Sequence, residues 1–278
     1  MKGVTSDFIR NYIGQGEFGL EKESLRVDAQ GHLSYTPHPF GERADITRDF
    51  CENQTEMITD VYETATEVVD HLARLHREVG ETILKLSTGK EYLWPFSNPP
   101  RLWENEEIPV AQFEGEQREK TVYRNYLASK YGKRKMLFSG IHLNYSLPDP
   151  MLREEYKITT KQEDAVQVEE SGYRIYKDQV YLQLAQQLTK YTWFIVYLTA
   201  ASPVLDFSFC TYKDSGNDWV KEDLHKYASV RCGEKGYWND FTPILEYADL
   251  ESYIQSIEHY VESGQLKGAS ELYYPIRL

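Results

Sequence analysis

Cysteine is scarce in this chain. The three present, Cys51, Cys210 and Cys232, are too few and too scattered to build a disulfide framework or a zinc cluster. That scarcity points to a reducing compartment, the cytoplasm. Positive charge is in deficit as well: 31 lysines and arginines face 44 aspartates and glutamates, for a formal net charge of −13. Such a balance argues against a nucleic-acid groove or an anionic membrane surface as partner. It leaves room for a nucleotide, whose phosphates local lysines, arginines or metal ions can offset. Long apolar runs are missing too. The longest, Trp193 to Leu198, falls far short of the roughly 20 residues that span a bilayer, and the N-terminus lacks the apolar core of a signal peptide. With no repeat, low-complexity tract or flexible linker, residues 1–278 read as one domain.

Several signatures are absent or out of place. Gly89-Lys90 looks like the end of a phosphate-binding loop, but Leu84 stands where its upstream glycine is required. Neither a Gly-x-Ser-x-Gly elbow nor a His-Glu-x-x-His helix is present. Gly14 to Gly19 spells Gly-x-Gly-x-x-Gly, yet a strand-like segment follows it where a dinucleotide site needs a helix.

Periodicity supplies the positive signals. Ala65, Val68, Leu72, Leu75, Val79 and Ile83 recur at three and four, which predicts an amphipathic helix with one buried stripe. A second helix is expected from about Tyr173 to Ala201. Its part from Trp193 to Ala200 is apolar nearly all round, so it should cross the interior. Gly140 to Pro148 alternates: Ile141, Leu143, Tyr145 and Leu147 form an apolar face, while His142, Asn144 and Ser146 form a polar one. Gln54, Glu56 and Ile58 align on another strand. Two-faced strands without regular βα alternation suggest an antiparallel sheet in an α+β fold.

The chemistry concentrates in two acidic clusters. In Phe18-Gly-Leu-Glu-Lys-Glu-Ser-Leu-Arg26, strand period two puts Glu21 and Glu23 on one face about 7 Å apart. Like charges that close require a partner or a cation, and Mg²⁺ prefers oxygen ligands of this kind. A solvated face, with Glu21 paired to a lysine, is the bland alternative. The second cluster runs from Asp49 to Glu56. Their odd separation would place them on opposite faces of an ideal strand, unless a turn or bulge brings both inward; on spacing alone, an acidic loop leading into a strand is the favoured alternative. His142 gains interest from its neighbours Asn144 and Ser146. Arg124 and Arg231 offer guanidinium groups, and Tyr237 a phenol, suited to a substrate carboxylate or phosphate.

Taken in order, the first acidic motif, Asp-Phe-x-Glu-x-Gln-x-Glu-Met-Ile-Thr, Leu-Trp-Pro-Phe-Ser, Tyr-Arg-Asn-Tyr-Leu-x-x-Lys-Tyr-Gly, Ser-Gly-Ile-His-Leu-Asn-Tyr-Ser-Leu-Pro and Ala-Ser-Pro resemble glutamate–cysteine ligase. The likeness continues through Ser229 to Tyr237 and Glu271 to Arg277. The first motif is equally similar to the ligase part of bifunctional bacterial glutathione synthases. The resemblance implies a curved antiparallel sheet forming a funnel backed by helices, as in glutamine synthetase and guanidino kinases. It implies ATP-dependent joining of L-glutamate to L-cysteine with Mg²⁺, through γ-glutamyl phosphate. By the same resemblance Glu21, Glu23, Asp49, Glu56 and His142 fall on metal or metal-shell positions. Asn144, Tyr273 and Arg277 fall near the nucleotide. Arg124 and Arg231 face substrate carboxylate or phosphate as catalytic and binding groups, and Tyr237 lies in the cysteine pocket.

Family members continue past the Tyr-Pro-Ile-Arg segment into a strand with a further metal-binding glutamate and an arginine, so the fold is expected to be incomplete at its C-terminus. The chain then reads as the N-terminal portion of a longer domain, with a missing segment or a fused synthase part beyond it. A truncated unit that binds nucleotide or glutamate without turnover is the alternative. A glycoside hydrolase is a third reading, resting on 22 tyrosines, five tryptophans and paired carboxylates. Cys51, inside the second acidic cluster, is expected to resist ionisation because of the neighbouring charge unless metal is bound.

Overall fold

The structure, a computed structural model, describes residues 6–86, 89–103, 106–161, 169–200, 204–209, 219–221, 229–232 and 244–263. A short helix α1 (Ser6–Tyr12) leads into the long strand β1 (Glu17–Val27), followed by β2 (Ile46–Arg48), β3 (Gln54–Ile58), α2 (Ala65–Ile83) and β4 (Tyr92–Leu93). Next come α3 (Arg118–Tyr131), β5 (Ile141–Ser146), α4 (Asp149–Thr160) and α5 (Glu170–Thr199), then the β6 (Val204–Asp206) and β7 (Trp219–Lys221) pair and α6 (Leu250–Glu262). The fold is α+β, and the main sheet is antiparallel and open.

β1 organises that sheet. It pairs with β3 through Glu21 to Leu25 and with β5 through Glu17 to Lys22, while β2 extends the sheet beyond β3. Residues directly opposite one another in a ladder share a face. Glu23 lies across from Glu56, Glu21 from His142 and Gly19 from Asn144, so one face carries a continuous polar row. The other face is packed by α2. Helix α2 is capped at Thr64, whose hydroxyl accepts the Glu67 N–H at 3.3 Å and donates to the Glu67 carboxylate at 2.6 Å, an N-cap worth about 1 kcal/mol. Its buried stripe of Leu75, Val79 and Ile83 meets Ile46 and Met57. A second core of Leu25, Val27, Leu33, Phe50, Cys51, Leu102, Ile108 and Val110 closes around the end of β1.

Two expectations need correction. Ile141, Leu143 and Tyr145 do alternate on β5, but they are exposed, and among the described residues only Leu147 of that row joins a core cluster. The helix predicted from Tyr173 forms, yet among the described residues its C-terminal part does not cross an interior: Trp193 is 65% exposed and Tyr197 77%. The reason is topological. Apolar character on all sides buries a helix only where elements surround it, and the packing of α5 is concentrated in its first half, where Tyr173, Tyr176 and Val180 meet Leu152 and Tyr156 of α4. Among the described residues, no helix is long and apolar enough to cross a membrane.

Candidate active site

The polar face of the sheet gathers acids from three chain segments. Glu23 comes from β1, Glu56 from β3, and Asp49 from the connection between β2 and β3. One carboxylate oxygen from each lies within 4.8 Å of the others. The odd spacing of Asp49 and Glu56 is resolved by a tight turn: Asp49 N–H donates to Gln54 O, and Gln54 N–H to Cys51 O, both at 3.0 Å. The turn re-aims Asp49 onto the face that Glu56 occupies by alternation.

Glu21 sits one step along β1, on the β5 side. Its carboxylate lies 3.2 Å from His142 Nδ1 and accepts from Asn144 Nδ2 at 3.1 Å. His142 Nε2 stands 3.6 Å from Glu23 Oε1, so the imidazole bridges Glu21 and Glu23. Glu23 is further held by Gly140 N–H, which donates to its Oε2 at 2.7 Å, while the Glu23 N–H donates back to Gly140 O. Arg231, in a short 3₁₀ turn (Val230–Cys232), approaches the same place: a side chain on Gly140 would meet its Nη1 at 3.0 Å.

Crowding shows in the acidities. Glu23 is pushed up to about 8, chiefly by burial and then by the charges of Asp49 and Glu21, against the pull of Gly140 N–H and Arg231. Glu56 is pushed up to about 7, again by burial first, then by Asp49, Glu23 and Glu21. Three hard oxygen donors, two of them disfavoured as bare anions, form the donor set that a divalent cation satisfies. The residues present therefore fit such an ion.

Arg124 is occupied differently. Its Nε donates to Asp49 O, its Nη1 to Lys120 O at 3.0 Å and its Nη2 to Arg48 O at 3.3 Å. The guanidinium thus fastens the turn carrying Asp49 to α3, and Nη2 stands 3.8 Å from Asp49 Oδ1. Both Arg124 and Arg48 lie over the Phe113 ring, at 4.8 and 4.6 Å from its centroid. Nothing in the sequence pattern marked Phe113. Cys51 does resist ionisation, but the order of causes differs from expectation: complete burial pushes the thiol up first, and Asp49 contributes second. Tyr237, Tyr273 and Arg277 lie outside the described residues. A separate cavity of about 400 Å³, bordered by Glu106, Tyr131, Lys133 and Arg134, includes none of these acids.

The glutamate–cysteine ligase family model matches residues 3–268. The glutathione biosynthesis bifunctional protein GshAB of Listeria innocua is 38% identical over 280 residues, covering 98% of this chain and 35% of that protein. Its counterpart from Clostridium perfringens is 37% identical over 290 residues, covering 100% of this chain and 35% of its own length. Among solved structures, a bifunctional glutathione synthetase from Pasteurella multocida aligns with TM-score 0.76 and 31% identity, over 98% of this chain and 34% of its own. Glutamate–cysteine ligase from Francisella tularensis, solved in complex with AMP, shares the fold at TM-score 0.72 and 23% identity, over 89% of this chain and 48% of its own. The chain spans about a third of the length of the bifunctional relatives it matches.

Proposed function

Since this chain belongs to the glutamate–cysteine ligase family, we propose that it serves the ATP-dependent joining of the L-glutamate γ-carboxylate to the amine of L-cysteine, the first step of glutathione biosynthesis. The observation that carries this reading is the convergence of Glu23, Asp49 and Glu56 on one sheet face, within 4.8 Å of one another. A carboxylate is a poor electrophile because its leaving group would be oxide. In the proposed reaction its γ-oxygen attacks the terminal phosphorus of ATP, ADP leaves, and the resulting acyl phosphate is attacked by the cysteine amine. Inorganic phosphate departs and the amine's proton passes to solvent or a nearby base.

Phosphoryl transfer asks a protein mainly for positioning and charge neutralisation. Glu23, Asp49 and Glu56 would hold Mg²⁺, with Glu21 and His142 beside them, and the ion would neutralise the ATP phosphates and the developing charge. The Glu21 and Glu23 carboxylates on either side of His142 orient its ring toward the acids. Asn144, on the same face, is proposed to meet the nucleotide. Arg231 brings positive charge beside Gly140 and Glu23, suited to a phosphate or a substrate carboxylate. For Arg124 the bonds to Asp49 and Arg48 carbonyls support a role through the acidic turn, alongside the substrate-facing role that the sequence resemblance suggests. Tyr237, Tyr273 and Arg277 are proposed on resemblance alone for the cysteine pocket and the nucleotide. Residues 1–278 are taken as one ligase unit, and the buried free thiol of Cys51 is in keeping with a reducing cytoplasm.

A second reading is binding of Mg-ATP or glutamate without turnover. Incubation with ATP, Mg²⁺, glutamate and cysteine tests both. Formation of ADP and γ-glutamylcysteine supports the ligase. Binding of Mg-ATP by calorimetry with no product supports the second reading, and the absence of both product and binding refutes both.

A further inference from the structure

Gln54 sits behind the three acids and contacts both backbone segments on which they depend. It is fully buried and shares the face of β3 that carries Glu56, across the ladder from Leu25. Its carbonyl oxygen accepts the Phe50 N–H at 3.3 Å, immediately after Asp49. Its amide nitrogen donates to Phe138 O at 3.4 Å and to Ser139 Oγ at 3.3 Å, immediately before Gly140. Gly140 in turn holds the Glu23 carboxylate through its N–H. One carboxamide therefore links the turn that aims Asp49 to the segment that aims Glu23.

We infer that Gln54 is a positioning residue for the cation site, setting the separation of Asp49 from Glu23 before any ion arrives. This rests on the reading of Glu23, Asp49 and Glu56 as cation ligands. The chemistry selects an amide: one side of the gap presents an N–H, the other a carbonyl and a hydroxyl, so a donor and an acceptor are needed in one neutral group. A carboxylate would have no donor for Phe138 O. An apolar side chain would leave the Phe50 N–H and the Phe138 carbonyl buried without this partner, which favours local rearrangement. The three carboxyl groups are crowded, and their charges repel once ionised, so slack in the bridge lets their spacing open. Polar groups that orient metal ligands from behind change metal affinity by about 10- to 100-fold when replaced.

The test uses the whole chain and Mn²⁺ alone, with free ion followed by electron paramagnetic resonance. Gln54→Met keeps the volume and removes all three hydrogen bonds; about a tenfold loss of Mn²⁺ affinity is expected. Ser139→Ala removes one of the two acceptors and should weaken binding less, in the same direction, providing the readout if Gln54→Met fails to fold. Met57→Leu, on the opposite face of β3, serves as the structural control: its melting temperature should move while Mn²⁺ affinity stays within twofold. Mn²⁺ binding by Gln54→Met within twofold of the parent, or an equal loss in Met57→Leu, overturns the inference. Absence of Mn²⁺ binding in the parent chain refutes the cation site itself.

Discussion

Replacing Glu23 by glutamine should make the metal-free protein more stable, although it removes a proposed ligand. The Glu23 carboxyl rises from an ordinary 4.5 to about 8 in the fold, led by burial and the Asp49 charge. Between those two values the unfolded chain has released a proton that the folded chain still holds. The unfolded state thus binds fewer protons, and stability falls as pH rises through the window. One pKa unit corresponds to about 1.36 kcal/mol, so the accumulated cost is on the order of 3 kcal/mol at pH 7 and 5 kcal/mol above pH 8. Glutamine carries no charge, and its carbonyl can still accept the Gly140 N–H. Urea unfolding in the presence of a chelator, at pH 5, 7 and 8.5, measures the effect. Glu23→Gln should gain little at pH 5 and on the order of 3 kcal/mol at pH 7, with a flatter pH profile than the parent. Added Mg²⁺ should stabilise the parent, through preferential binding to the folded state, and the variant much less. A parent protein equally stable at pH 5 and 8.5, or a variant no more stable at pH 8.5, would refute the reasoning.

Three further outcomes follow from the same geometry. Cys51 should be alkylated slowly with or without a chelator, because burial rather than charge is the main barrier; fast labelling of chelated protein by iodoacetamide would contradict this. Glu91→Gln should lower unfolding free energy by about 3–5 kcal/mol, since it leaves the Arg26 guanidinium, with no solvent exposure, without the charge 2.8 Å away; a loss under 1 kcal/mol in urea titration would count against it. Thr64→Ala should cost about 1 kcal/mol by removing the first-turn cap of α2, and unchanged thermal unfolding would show that the cap contributes nothing.

Much of this architecture was legible from spacing. The 3–4 recurrence from Ala65 to Ile83 marks α2 to its boundaries, because a helix packed on a sheet needs one apolar stripe. The alternation of Glu21 with Glu23, and of His142 with Asn144, places both pairs on a face, and the ladder adds that it is the same face. What spacing could not supply was long-range. That Asp49 turns inward depends on Gln54 and Cys51 backbone groups, and that Arg124 serves the turn depends on where α3 docks. The apolar rows of β5 and of α5 from Trp193 onward signalled burial, but composition states only what a surface is made of. What lies against it is decided by the rest of the fold.

Strict two-residue alternation also makes the sheet self-checking. Were β3 to pair with β1 one residue out of step, Glu56 would be thrust among Val79 and Ile83, and Met57 would land in the acidic row. A chain in that register would carry an unsolvated carboxylate among apolar side chains, which disfavours it against the observed pairing. The register that buries Met57 against α2 is therefore the same one that lines up the acids on the opposite face.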